Sequence, residues 1–180
     1  MTIRLKLLRK QNGWSLELLA EKTGLTKSYL SKVERGLSVP SIAVALKLAA
    51  ALQVDVEQLF AGGQNAAMIS VTRAAQRVAE PGAGGKGGYA SIAADVGPKR
   101  LLPFMVYPPA DFVASAFKEH AGDEFLFVHS GAVEIEFPDE TVRLEVGDSL
   151  YFNAMTPHRV RSVGPAQAEL LLVVSNTPDA

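Results

Sequence analysis

Residues 15 to 36 read Ser-Leu-Glu-Leu-Leu-Ala-Glu-Lys-Thr-Gly-Leu-Thr-Lys-Ser-Tyr-Leu-Ser-Lys-Val-Glu-Arg-Gly, a stretch that accommodates two short helices joined by a tight turn. Ser15 and Thr26 are N-cap residues, whose side-chain oxygens accept from backbone N–H groups that a first helical turn leaves without partners. Gly24 stands where the first helix must stop, a position often held in the left-handed region that glycine adopts at least cost. Apolar and small residues fall at helical spacing, with Leu16, Leu19, Ala20 and Thr23 on the first helix and Leu30 and Val33 on the second. Those faces pack together and leave Lys27, Ser28, Ser31 and Lys32 on the solvated side, where a helix of this kind enters a DNA groove.

The flanks extend the pattern. Ile3 to Asn12 predicts a preceding helix ended by Gly13, with Leu5 and Leu8 facing the core. Ser41 caps a helix carrying Ile42, Leu46, Ala49 and Leu52, and Asp55 with Gln58 forms a capping-box pattern before Leu59 and Phe60. Five helices are expected over residues 3 to 60.

This stretch resembles the N-terminal domain of the XRE family, the lambda- and 434-type repressors, in its Arg-Lys-Gln-Asn-Gly-Trp-Ser-Leu, Leu-Ala-Glu-Lys-Thr-Gly-Leu-Thr and Val-Glu-Arg-Gly-Leu-Ser-Val-Pro-Ser runs. The resemblance implies a five-helix lambda-repressor-like fold in which Thr26 caps the recognition helix, Lys27, Ser28 and Lys32 lie at base edges, and Ser31 faces the same groove. With the Ser15 cap these form the expected DNA-binding set. Arg9 and Glu34 match a structural salt bridge of such repressors. Many members carry Gln at the second position of the first motif helix, where it contacts phosphate; here Glu17 stands there. Trp14, just before the Ser15 cap, is expected to anchor helix packing.

Charge divides the chain in the same place. Residues 1–60 carry nine Lys or Arg against five Asp or Glu, net +4, and residues 61–180 carry nine against fourteen, net −5, an asymmetry hidden by the overall −1. A basic domain gains affinity by releasing counterions from phosphates, so DNA binding belongs to the first third. The expected organisation is a helix-turn-helix domain at 1–61, a linker at 62–70 of small and polar residues such as Gly62, Gly63, Gln64 and Asn65, and a second domain at 71–180. Without cysteine, disulfides and thiolate metal sites are excluded. Charges run through the first helix, and no uninterrupted apolar run reaches the length of a membrane span, so a cytoplasmic protein with no membrane partner is expected.

Gly82, Gly84 and Gly87 have the spacing of a dinucleotide fingerprint, but that motif needs a buried strand before it and a helix after it. Here Pro81 precedes it and a predicted strand, Tyr89 to Val96, follows. Gly85-Lys86-Gly87 also lacks the Ser or Thr that completes a phosphate loop. A loop is the better reading.

From residue 100 the pattern is β-type: Leu101–Tyr107, Phe112–Lys118, Glu124–Ser130, Val133–Phe137, Val142–Val146, Ser149–Phe152, His158–Val163 and Glu169–Val174, divided by turns at Ser130-Gly131, Pro138-Asp139 and Gly147-Asp148. Val133, Ile135 and Phe137 alternate with Glu134 and Glu136, predicting one buried and one wet face. The run from Lys118 through Glu119-His120-Ala121-Gly122-Asp123-Glu124 to Gly131, and Gly147-Asp148 through Pro157-His158, resemble the paired motifs of the cupin family, an all-β double-stranded β-helix or jelly-roll barrel. Cupins often bind a divalent metal through two histidines and a glutamate in the first motif and one histidine in the second. His120, Glu124 and His158 match, and Lys118 occupies the first histidine's position. Two imidazoles and a carboxylate suit Fe(II) with open positions, and Zn, Mn or Ni are alternatives. An ammonium has no lone pair for a metal and opposes a cation nearby, so readings with metal and with a metal-free polar cluster both stand. His129 matches no ligand position and is expected in a turn or at the surface. Tyr89 and Tyr151 join Lys118, His120, Glu124 and His158 as pocket candidates.

A helix-turn-helix joined to a cupin resembles small-molecule-responsive bacterial regulators, which implies a homodimer that presents two recognition helices to double-stranded operator DNA. It also implies an effector in the barrel and no enzymatic activity. The alternative is an Fe(II)-dependent cupin enzyme, because the hydroxypropylphosphonate epoxidase family has a similar domain pair and a similar His-x-x-x-Glu segment. That family also uses an N-terminal lysine and a tyrosine pair on an early strand, where this chain has the single Tyr89.

Overall fold

The computed structural model describes residues 4–54, 56–60, 69–81, 87–96, 99–112 and 117–175, with the side chains of Glu57, Phe60 and Pro81 excepted. It divides into two compact units, Met1–Ser70 with Ala94–Pro98, and Val71–Ala93 with Lys99–Ala180. Among the described residues no helix is long and apolar enough to cross a membrane.

The first unit contains α1 (Leu5–Gln11), α2 (Leu16–Thr23), α3 (Lys27–Glu34) and α4 (Ile42–Leu52), followed by the five-residue α5 (Val56–Phe60). Four helices of seven residues or more thus stand where five comparable ones are expected, and the fifth is little more than one turn. Asp55, and with it the capping-box expectation, lies outside the described residues, as does Ile3 at the start of the predicted first helix. The other caps form as their residue types dictate: Ser15, Thr26 and Ser41 accept from the N–H groups of Leu18, Tyr29 and Val44 at 3.1, 3.2 and 3.3 Å. Gly24 ends α2 at φ 64°. Leu5, Leu8, Leu19, Leu30, Val33, Leu48, Leu52 and Leu59 make the core. On α4 the buried stripe is Ala45, Leu48, Ala49 and Leu52, while Ile42 and Leu46 are half-buried, so the core-facing side is rotated from the one expected.

One ion pair ties this core together. Arg9 donates to Glu34 through Nε at 2.6 Å and through a terminal nitrogen at 3.0 Å, and its other terminal nitrogen donates to the Trp14 carbonyl at 2.7 Å. Both side chains are nearly buried. The pair joins α1 to α3 and fixes the turn into α2. Lys22 lies over the Trp14 ring at 4.9 Å, which covers the indole from the α2 side.

Among the described residues of the second unit a short 3₁₀ turn (Ala74–Gln76) precedes nine strands: β1 (Glu80–Pro81), β2 (Gly88–Ser91), β3 (Leu101–Tyr107), β4 (Asp123–Ser130), β5 (Ala132–Glu136), β6 (Thr141–Leu144), β7 (Ser149–Asn153), β8 (Arg159–Val163) and β9 (Glu169–Ser175). They form a six-stranded sheet ordered β1-β2-β3-β9-β4-β7 and a three-stranded sheet ordered β6-β5-β8. Strict alternation on β4 and β9 buries Leu126, Val128, Leu170, Leu172 and Val174, and on β5 it buries Val133 and Ile135.

Two local expectations change. The strand expected over Tyr89–Val96 ends at Ser91, because Ala93 takes a positive φ of 55° and its backbone is held by the Thr72 hydroxyl and the Lys99 ammonium. Gly82–Lys86 lie outside the described residues, as do Val113–Ala116 of the strand expected over Phe112–Lys118. The face expected to be wet on β5 is instead covered. Arg159 makes a bidentate pair with Glu136 at 2.7 and 3.1 Å, and Arg161 pairs with Glu134 at 2.6 and 2.9 Å. The guanidinium of Arg159 lies 4.7 and 5.0 Å from the rings of Phe112 and Phe117, and that of Arg161 lies 4.9 Å from Phe112. Cation–π contacts therefore hold the rings of Phe112 and Phe117 against this sheet.

The Arg9–Glu34 pair generates a prediction. Glu34→Gln leaves a nearly buried guanidinium without its counter-charge and is expected to destabilise the helical unit by about 3 kcal/mol, whereas Arg9→Met combined with Glu34→Leu recovers most of that loss. Urea unfolding followed by helical circular dichroism checks both, and a single variant as stable as wild type refutes the role assigned to the pair.

Candidate functional site

Two groups of expected functional residues are placed by the fold, one on α3 and one on the second unit.

On α3, Leu30 and Val33 are buried and Tyr29 is half-buried, which turns Lys27, Ser28 and Lys32 to solvent and leaves Ser31 half-exposed. At 100° per residue, Ser28, Ser31, Lys32 and Arg35 fall on one side of the axis. Arg35 is absent from the set expected from sequence. It is exposed, and its Nε donates to the Ser31 carbonyl at 3.1 Å. Its spacing of four from Ser31 and seven from Ser28 was the available signal. Ser15 and Thr26 engage their oxygens in the two caps. Glu17 pairs with Lys27, so the carboxylate in place of the family's glutamine faces the first residue of α3. Both side chains are well exposed, and the hydrogen bond to Lys27 holds the Glu17 carboxyl below the usual carboxylate range.

The second group assembles where three chain segments meet. Glu124 is the second residue of β4 and lies on its buried side, opposite Phe152 of β7 and Val174 of β9. Gly122, at φ 96°, turns the chain into β4; a Cβ there would meet the Ser175 carbonyl oxygen at 2.6 Å, so only glycine lets the turn approach β9 this closely. The Asp123 N–H then donates to the Ser175 hydroxyl at 2.7 Å. Lys118 and His158 exchange both backbone bonds, at 2.9 and 3.0 Å, and the N–H of His120 donates to the Ala154 carbonyl at 3.1 Å. These bonds register the segment 118–122 against residues 154–158, just before β8.

His120, Glu124 and His158 are each less than a tenth exposed, and their potential ligand atoms all lie within 4.8 Å of one another. Glu124 Oε1 is 2.6 Å from His120 Nε2 and 3.6 Å from His158 Nε2. The other ring nitrogens face carbonyl oxygens: Nδ1 of His120 is 3.0 Å from Ala121 O, and Nδ1 of His158 is 2.9 Å from Thr156 O. A carbonyl only accepts, so each Nδ1 carries a proton and each Nε2 is left to face the carboxylate. Phe152 packs edge-on against the His158 ring at 4.8 Å and is itself backed by Phe137 at 5.1 Å, which holds that ring in place.

Two neutral imidazole lone pairs and a carboxylate oxygen directed at one point repel unless a cation stands among them. Either a proton on Nε2 or a metal ion supplies it. Burial is the largest single influence on His120 and pulls its pKa down, but the hydrogen bonds to Glu124 and to the Ala121 carbonyl and the charge of Glu124 together outweigh it, and the net shift is upward. Burial likewise works to raise Glu124, yet hydrogen bonds from His120 and His158 carry it down to about 2. The donor set also fits a metal. Both histidines have the Nδ1–H···O=C support that orients a ligating imidazole. The three side chains would hold such an ion through Nε2 of each histidine and a Glu124 oxygen, which already lie within 4.8 Å of one another.

Lys118 is exposed to solvent and pairs through its backbone with His158. Crowding lowers its pKa, and the charge of Glu124 acts in the opposite direction. The two tyrosines do not join this group. Tyr151 pairs with Phe125 and stands with it on the opposite side of the sheet from Glu124, exposed and bonded to Asp123. Tyr89 is on the buried side, edge-on to Phe104 at 5.7 Å, but it aligns through Val106 and Leu170 with Val128. That register puts it four residues, about 13 Å, along the strands from Glu124 and three strands across. His129 is exposed on β4.

Comparison with known proteins assigns both units. The helix-turn-helix family model (HTH_3) matches residues 5–59 and the cupin domain model (Cupin_2) matches residues 103–174. The chain is 51% identical over 58 residues to the HTH-type transcriptional regulator SinR of Bacillus subtilis (strain 168), covering 32% of this chain and 52% of SinR. It is 37% identical over 60 residues to the uncharacterized HTH-type transcriptional regulator YgzD of the same organism, covering 33% of this chain and 91% of YgzD. With the HTH-type transcriptional regulator PuuR of Escherichia coli (strain K12) it shares 26% identity over 157 residues, 86% of this chain and 83% of PuuR. The chain spans 37% to 52% of the length of the first curated relatives it matches, SlrR, SutR and SinR.

Among solved structures, an HTH_3 family transcriptional regulator from Vibrio cholerae superimposes with a TM-score of 0.67 at 24% identity, over 97% of this chain and 94% of that one. Fe(II)-HppE with the alternative substrate (S)-1-HPP gives 0.51 at 22% identity, over 95% and 94%. At these identities the two structures share the fold. The chain belongs to the XRE-type helix-turn-helix (HTH_3) family of transcriptional regulators and carries a cupin domain after its helix-turn-helix domain.

Proposed function

We propose that this protein is a cytoplasmic, sequence-specific DNA-binding regulator with a helix-turn-helix domain at 1–61, a linker at 62–70 and a cupin domain at 71–180. In this reading the cupin domain is a double-stranded β-helix barrel that pairs two copies and binds a small-molecule effector. The observation that carries it is the exposed row on α3, where Ser28, Ser31, Lys32 and Arg35 follow one side of a helix whose other side is buried. A cationic, polar helix face behind a Thr26 cap suits the major groove, and two such helices in a dimer reach half-sites about 34 Å apart, one turn of duplex. The net +4 of residues 1–60 supplies the phosphate attraction.

The effector site is formed by Lys118, His120, Glu124 and His158. A ligand there changes DNA affinity by binding more tightly to one arrangement of the dimer than to another. Where a divalent ion occupies the triad, His120, Glu124 and His158 hold it, and it supplies a Lewis-acidic centre with positions open to the ligand. The residues of the chain do the rest: the carbonyls of Ala121 and Thr156 hold a proton on each Nδ1 and so aim each Nε2 at the ion, and Phe152 keeps water from one side of His158.

A second reading draws on the same triad. The likeness in fold to Fe(II)-HppE, together with a buried two-histidine, one-carboxylate set, supports an Fe(II)-dependent oxidative enzyme. The exposed face of α3 has no part in such chemistry, which favours the regulator.

Three outcomes are expected. In selection from random duplexes the protein enriches one sequence, and Lys32→Ala or Arg35→Ala costs roughly 1–3 kcal/mol on that sequence while relaxing preference at one position. Equal binding to every duplex at low salt refutes the reading. Elemental analysis after incubation with Zn(II) or Fe(II) gives one ion per chain, lost in Glu124→Gln and in His158→Ala; equal loading of the variants dismisses the triad as the metal site. His120→Ala leaves DNA binding intact and removes the response to whichever ligand stabilises the protein in a thermal-shift screen. Turnover by the iron-loaded protein would favour the enzyme instead.

A further inference from the structure

We propose that the ligand of the cupin site carries an oxyanion, a carboxylate, phosphonate or phosphate group, and that Lys118 is the residue that selects it. The inference rests on the reading of this site as a ligand site and adds the chemical class of what binds there.

The geometry begins with the backbone. Lys118 and His158 form an isolated antiparallel bridge in which each donates to the other's carbonyl, at 2.9 and 3.0 Å. Residues directly opposite in this way send their side chains to the same face. The His158 ring lies beside Glu124 with Nε2 at 3.6 Å, so the Lys118 side chain leaves the backbone on the face that carries the triad.

Among the described residues the Lys118 ammonium has no partner: no carboxylate forms a salt bridge with it and no acceptor takes any of its three protons. Glu124 is already engaged with His120 at 2.6 Å. Lys118 is exposed, so its ammonium is satisfied by solvent or by a ligand that takes the place of solvent. The charge count points the same way. A divalent ion on the triad with one carboxylate leaves a net positive charge, and Lys118 adds another beside it, on a sheet face otherwise lined by Leu126, Phe152 and Leu172. A cationic or neutral ligand leaves that charge uncompensated, whereas an oxyanion accepts from the ammonium. The substitution that deprives the family's pattern of its first histidine thus converts a metal-ligand position into an anion-binding one.

The test uses the full-length protein, both as purified and loaded with Zn(II). Methylphosphonate and succinate are the acidic probes, and choline and glycerol are the cationic and neutral controls, followed by melting temperature and by calorimetric titration. At least one acid is expected to raise the melting temperature and bind, and the controls are not. Lys118→Met weakens that acid at least tenfold, Lys118→Arg stays within about threefold, and unliganded melting near that of wild type shows that both variants fold. Wild-type affinity in Lys118→Met overturns the proposal, as does an acid series that fails to bind. Binding of choline or glycerol in place of the acids overturns it too, yet leaves the ligand-site reading standing. A broad screen in which no compound gives a shift that is lost in His158→Ala brings down the ligand-site reading itself.

Discussion

A carboxylate on the buried side of a sheet needs compensation, and the way Glu124 is compensated organises the second unit. It stands among Leu126, Phe152 and Val174, where an unpaired charge would cost several kcal/mol. Its partners come from outside β4: His120 from the turn before the strand and His158 from the position just before β8. Bringing them in requires the segment 118–122 to lie against residues 154–158, which the Lys118–His158 bridge and the His120–Ala154 and Ala154–Gly122 bonds accomplish. The Arg159 and Arg161 stacks hold the rings of Phe112 and Phe117, which precede that segment in the chain. Features that look unrelated in sequence therefore serve one buried charge.

The first unit solves a smaller version of the same problem. Arg9 and Glu34 are nearly buried, and they are tolerated because the guanidinium also satisfies the Trp14 carbonyl at the turn into α2. One side chain thereby sets α1, the turn and α3 relative to one another. With the inner side of α3 fixed in this way, its outer side is left to whatever residues the sequence places there. Surface identity on α3 is free to vary without cost to the fold, which is what a helix that distinguishes ligands requires. Glu17, paired with Lys27 at the mouth of that face, tempers the positive charge where the chain departs from its relatives' pattern.

The cupin unit carries a metal-capable triad and a lysine that is no metal ligand. The fold it shares with both a regulator and an iron protein does not decide between sensing and chemistry, since one framework hosts many functions. The residues around the triad carry the distinction. Tyr89 is far along the sheet, Tyr151 is on the other side, and Lys118 is the one candidate beyond the triad that the register brings to it.

Sequence alone determined the helix boundaries set by Ser15, Gly24, Thr26 and Ser41 and the strands over Leu101–Tyr107 and from Asp123 onward, while the resemblance to cupins singled out His120, Glu124 and His158. The caps and strands are local chemistry: a cap needs a side-chain oxygen, a left-handed residue needs glycine, and a half-buried strand needs alternation. Tertiary structure decided what depends on register and on partners distant in the chain. The carboxylates Glu134 and Glu136 became half-buried because arginines from β8 and two phenylalanines cover them, which no alternation of β5 could disclose. Tyr151 went to the wrong side for a pocket because pairing with Phe125 fixed its face, and Arg35 joined the α3 row because the helix ended there with its surface open. The end of β2 at Ser91 followed from contacts with Thr72 and Lys99. Local preference fixes which elements form, whereas the face a side chain occupies is set by the neighbour it pairs with, and that neighbour is chosen only when the chain is folded.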